Sequence, residues 1–175
     1  SMTSFNFQPP ALRAATPAKV MPFPGRVPER LVGVGFRCWL TGFDSGDVGA
    51  WEEAWTAYKA TLGYDAAKPL LLSLSQFVRG VKTNCCRDIE VYPLECRGFC
   101  RDECLAISLV AASQHDRRPE LRTCATALTG SDDIGDVLQG AQQFAASLRE
   151  AQQILSPSSI CPANCPLWQP RHKLS

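Results

Sequence analysis

Apolar positions recur at helical spacing along most of the chain. After Ser131-Asp132-Asp133, which reads as a cap, Ile134, Val137, Leu138, Ala141, Phe144, Ala145, Leu148, Ala151 and Leu155 form one stripe. That spacing predicts a helix that runs until Pro157 stops it. Val48, Trp51, Trp55, Tyr58 and Leu62 form a second, aromatic stripe on a helix expected over 47–62, with Gly63 at its end. Leu70, Leu74, Phe77, Val78, Val81 and Cys85 mark the buried face of a third helix, starting near 65–69 and running to Arg87. Pro93 opens a fourth, to Ser113, on which Cys96, Cys100, Cys104, Ile107 and Ala111 share a face. A short fifth helix covers 119–128 and stops at Gly130.

The segment before these is ambiguous. Pro28 and Glu29 suit a first helical turn, which would carry a helix to Thr41. Yet Val32, Val34, Phe36, Cys38 and Leu40 alternate as a strand does, so residues 31–41 fit either element; helix is the reading adopted. Asp44-Ser45-Gly46-Asp47 reads as a turn and cap. Five to six helices with short connections imply an all-α fold, an antiparallel bundle over 27–156. Residues 1–26, rich in Pro, Ala and Phe, are expected to form an extended arm, and 157–175 a tail containing Pro and Cys. The Trp51/Trp55/Tyr58 face is expected to anchor the core, with a dimer seam as the alternative.

Composition narrows the function classes. The chain has 175 residues, 45% of them apolar, enough for one sizeable domain. Eighteen Lys and Arg against seventeen Asp and Glu leave no global charge to favour nucleic acid or an anionic membrane. The basic Arg117-Arg118-Glu120-Arg122 stretch reads as a solvated helix start. No apolar run is long enough to span a bilayer, and residues 1–30 hold no apolar run of the signal-peptide type, so a cytoplasmic chain is expected.

Nine cysteines are then the chemical signal, because a reducing compartment disfavours a disulfide framework. On one continuous helix, Cys96, Cys100 and Cys104 would lie about 6 Å apart along the axis, each about 40° further round. Cys85 or Cys86 could complete a four-sulfur set across the preceding corner. Soft thiolates suit zinc or an iron–sulfur cluster, and Arg87, Arg97 and Arg101 would favour the ionised form. Cys161 and Cys165, each followed by Pro, are possible additional ligands; a haem contact at these Cys-Pro steps ranks below zinc or iron–sulfur. The competing view is that the cysteines are small core residues, the reading adopted for Cys38 and Cys124.

Catalytic motifs do not emerge. His115 and His172 are the two histidines, and no phosphate-binding glycine loop, nucleophile elbow or HExxH is present. The expectation is a small helical protein that holds a soft metal centre in a structural or sensory role. The alternatives are a non-catalytic dimer or adaptor, which would bind a second copy or a protein partner through the arm and the aromatic face, and a thiol–disulfide switch.

Overall fold

A computed structural model describes residues 26–161. The expected arm, save Arg26, and the tail beyond Cys161 lie outside the described residues. Six α-helices follow in order: α1 (Val27–Ser45), α2 (Val48–Leu62), α3 (Tyr64–Asn84), α4 (Arg101–Gln114), α5 (Arg118–Thr129) and α6 (Gly135–Glu150), then a 3-10 turn over Pro157–Ser159. They pack as an all-helical bundle. No helix among the described residues is long and apolar enough to cross a membrane.

The ambiguous 31–41 segment is helix, and α1 continues past Thr41 to Ser45. Its alternating apolar residues are buried because neighbours cover it broadly: α2, α3 and α4 all contact it. Two glycines set how closely they approach. A Cβ on Gly33 would overlap the Phe99 ring, and one on Gly42 would overlap the Trp51 indole. The α1–α2 turn follows its local chemistry, with Asp47 Oδ1 accepting from Gly49 N–H at 2.9 Å as the cap of α2.

Helix α4 is the centre of the bundle. It contacts α1, α5 and α6, and every residue from Asp102 to Ala112 is buried. A helix buried all round shows no amphipathic stripe. The stripes expected on α3 and α6 are present: Leu70, Leu74, Phe77, Val78 and Val81 meet Val137, Ala141, Phe144 and Leu148 in one core. The rings of Phe77 and Phe144 stack with centroids 6.0 Å apart.

Four expectations fail, the smallest being that Ser131-Asp132-Asp133 does not cap α6, whose N-cap position is Ile134 with no side-chain cap bond. The aromatic stripe of α2 does not anchor the core as a unit. Tyr58 is fully buried and donates its hydroxyl to Leu31 O, but Trp51 and Trp55 are half-buried and Val48 is 58% exposed. The buried face of α2 is Ala50, Ala54 and Tyr58, because small residues let α2 lie close to its neighbours. The last helix ends at Glu150 rather than reaching Pro157. Leu155 is still buried, carried there by a strap whose N–H is held by Gln114 Oε1 at 2.8 Å. The largest departure is at 85–100. This stretch is irregular, α3 stops at Asn84 and α4 starts only at Arg101, so Cys85, Cys96 and Cys100 are not on helices.

Candidate functional site

The 85–100 connection owes its order to two adjacent carboxylates at the start of α4. Glu103, 0% exposed, accepts from Cys100 N–H at 2.9 Å and from Tyr92 N–H at 3.0 Å. The bond to Cys100 is half of a capping box, with Cys100 standing where Ser or Thr is usual. Asp102 accepts from Glu90 N–H at 2.8 Å and from Arg87 Nη2 at 2.8 and 2.9 Å. Arg87 also donates to Leu128 O at the end of α5, at 2.6 Å.

Arg37, 1% exposed, reaches in from α1 and completes the arrangement. Its guanidinium forks onto Glu103, Nε to Oε2 at 2.7 Å and Nη2 to Oε1 at 2.9 Å. It also donates to the carbonyls of Cys96 at 2.6 Å and Gly98 at 2.5 Å. Its face lies over the Phe99 ring, 5.4 Å from the centroid. Burial alone would lower the Arg37 pKa; the hydrogen-bonded charge of Glu103 outweighs it and leaves the pKa raised. One buried ion pair therefore satisfies four backbone groups of an irregular segment, which lets Cys96, Phe99 and Cys100 within it be buried.

The candidate cysteines distribute around this framework. Cys96 and Cys100 are buried beside Arg37, and the Cys100 thiol donates to Glu90 O at 3.2 Å. Cys104 is buried on α4. Cys85 is half-buried with its thiol directed to Arg87 O, and Cys86 is exposed. The expected single helical face of Cys96, Cys100 and Cys104 does not exist, since only Cys104 lies within a helix. Among the described residues, no three His, Cys, Asp or Glu side chains are grouped so that they could hold one metal ion.

Burial pushes the thiols up. Desolvation and the Glu103 charge raise Cys104 to about 12 and Cys100 further still. Desolvation also raises Cys38 and Cys124 to about 12. A thiol held neutral is a poor nucleophile. Cys38 and Cys124 are core residues, as expected; the Cys124 sulfur lies 3.1 Å from the buried Ser108 hydroxyl, which accepts from Cys161 N–H at 2.8 Å. Cys161 is disulfide-bonded and so offers no thiolate, and Cys165 lies outside the described residues.

Two features carry chemistry beyond these. An aromatic strip runs along the α1–α2 hairpin, with Trp51 against Trp39 at 5.8 Å and Phe43 at 5.9 Å, and Trp55 against Tyr64 at 5.3 Å. Tyr64 is 56% exposed and the others are half-buried. On the other flank of α2, a cleft of about 470 Å³ opens between α1, α2 and residues 94–97. Sequence reasoning missed Arg37, Glu103 and Glu53. The spacing Cys100-x-x-Glu103 and the single charge of Arg37 in an apolar run were visible signals for two of them. The chain matches no protein-family model, no curated protein and no solved structure.

Proposed function

We propose that this protein is a non-catalytic helical module that associates with a second copy of itself through the aromatic face of α1 and α2. The carrying observation is that strip: Trp39, Phe43, Trp51, Trp55 and Tyr64 lie together and partly exposed, with Val48 exposed at its end. Aromatic side chains with apolar bodies and polar tips are enriched at interfaces. A two-fold interface needs only one such patch, because the same surface serves both partners. The buried charges support the reading from the other side. Arg37, Glu103, Asp102 and Glu29 are occupied in holding backbone segments in place, which leaves them no role toward a substrate.

A zinc or iron–sulfur centre at Cys85, Cys86, Cys96, Cys100 and Cys104 ranks below this reading, because among the described residues no three of their side chains are grouped to hold one ion.

Sedimentation velocity across a concentration series tests the proposal. The full chain should move from monomer toward dimer, and Trp55→Lys combined with Tyr64→Lys should keep it monomeric with an unchanged far-UV spectrum. A monomer at every concentration, or a dimer indifferent to both substitutions, would remove the proposal. Metal analysis and an absorption spectrum on the same anaerobic sample would show whether a soft metal takes precedence.

A further inference from the structure

The cleft between α1, α2 and the 94–97 turn lies away from the aromatic strip. Glu53 and Trp51 are two residues apart on α2, which turns them about 200° from one another. The cleft has a volume of about 470 Å³, room for a few side chains rather than a helix, and apolar walls from Val34, Ala57, Ala60 and Leu94. Its charges leave little for a charged ligand to engage. The Arg37 guanidinium is committed to Glu103, Cys96 O and Gly98 O, and Arg30 is itself partnered. Arg97 and Glu95 are exposed to water, where solvent and salt weaken their opposite charges.

Three observations say what covers it. The first is continuity. Arg30, Val34 and Cys38 line the cleft from α1 at steps of four, and Arg26, where the preceding segment joins the helix, stands one turn before them on the same line. The second is composition. Met2-Thr3-Ser4-Phe5-Asn6-Phe7 carries two aromatic rings and no charged side chain, so the arginines around the cleft do not repel it. The third is electrostatic. Desolvation raises the Glu53 pKa, and the positive charge of the chain's N-terminus acts on the same carboxylate in the opposite sense. Such an effect falls off with distance, which ties the start of the chain to this cleft.

We propose that the cleft is the docking groove for the chain's own N-terminal segment, with Phe5 and Phe7 seated in cis between Val34, Ala57, Ala60 and Leu94. In an extended backbone, residues two apart point to one side, so both rings enter the groove while Asn6 faces water. The rings replace water against the aliphatic walls. Reach is ample. The connection from Phe7 to Arg26 spans up to about 60 Å, whereas the flank from Arg30 to Cys38 is about 12 Å long. Tethering gives the segment an effective concentration on the order of millimolar, so a contact too weak to capture a free peptide suffices.

Photocrosslinking of the full chain tests this, with Phe5→para-benzoylphenylalanine and Phe7→para-benzoylphenylalanine as separate reporters. Irradiation followed by peptide mapping should place the adducts on Val34, Ala57, Ala60 or Leu94. An equal mixture of isotope-labelled and unlabelled chains should give adducts within one chain only. Amide NMR supplies a second reading without a crosslinker. Phe5→Asp combined with Phe7→Asp should shift the amides of Val34, Cys38, Ala57, Ala60 and residues 94–97 and leave Gln139 and Gln143 on α6 in place. Asn6→Asp should move the cleft amides much less. The proposal is overturned by adducts scattered over the surface or placed on the Trp39, Phe43 and Trp51 strip, by adducts that join differently labelled chains, or by cleft amides indifferent to the double substitution. Failure here leaves the dimer reading standing, and the reverse, since the sedimentation experiment reads the opposite flank of α2.

Discussion

Replacing Arg37 with methionine should cost about 3–5 kcal/mol of folding stability, the usual effect of leaving one partner of a buried ion pair alone. Methionine keeps most of the apolar stem, so the loss comes from the guanidinium. Glu103 would remain buried with only the N–H groups of Tyr92 and Cys100 to compensate its charge. The carbonyls of Cys96 and Gly98 would lose their donor. An orphaned buried carbonyl costs about 1–3 kcal/mol, which places the two alone in the same range. Against a total stability of about 5–15 kcal/mol for an ordinary domain, that is a large fraction. Arg37→Lys should fall between, because an ammonium cannot fork onto a carboxylate while reaching two carbonyls.

The double variant Arg37→Met with Glu103→Met is the sharper test. Removing both members of a buried pair is often neutral. Here the pair also serves four backbone groups, so the double variant should stay destabilised by about 4 kcal/mol at roughly 1 kcal/mol each. Urea denaturation followed by far-UV circular dichroism and tryptophan fluorescence measures all three variants. Recovery of parental stability in the double variant would refute the reasoning, since it would mean that the 85–100 backbone does not depend on these side chains.

Two further expectations follow from the packing and the thiols. Gly33→Ala should destabilise by about 1–3 kcal/mol, because the added methyl enters the Phe99 ring; Gly135→Ala, with nothing near its Cβ, should be neutral or stabilising by up to about 1 kcal/mol. Equal effects in the same denaturation assay would contradict the close contact. A thiol reagent should label Cys86 first and Cys85 next, and reach the buried five cysteines only on unfolding. The same buried thiols predict alkaline instability. Unfolded, each ionises from its ordinary value of 9.0, whereas Cys38, Cys104 and Cys124 folded hold their protons to about 12. The folded state therefore binds more protons in that window, and stability should fall by about 1.4 kcal/mol per pH unit per thiol as pH rises through it. A flat stability profile from neutral pH to strong alkali would count against their burial.

Local pattern was sufficient where one face of a helix meets a core and the other meets water. Leu70 to Val81 and Val137 to Leu148 show this, since their spacing repeats with the helical turn and the polar remainder marks the outside. The Asp47 cap and the Gly130 stop were legible for the same reason: their chemistry concerns neighbours in sequence. The thiol stripe at Cys96, Cys100 and Cys104 was equally regular on paper, yet it is not a helical face. The residues that decide the shape of that stretch lie elsewhere. Arg37 meets Glu103 from 66 positions away, and Arg87 meets Leu128 from 41. Periodicity records which residues face a core; it carries no information about a distant side chain that satisfies backbone groups better than a helix would. Sequence by itself thus determined that this protein is helical and where most helices run. Tertiary structure decided that residues 85–100 are irregular, that the candidate cysteines are separated, and that Glu53 lines an open cleft, because each depends on charges and volumes contributed by another part of the chain.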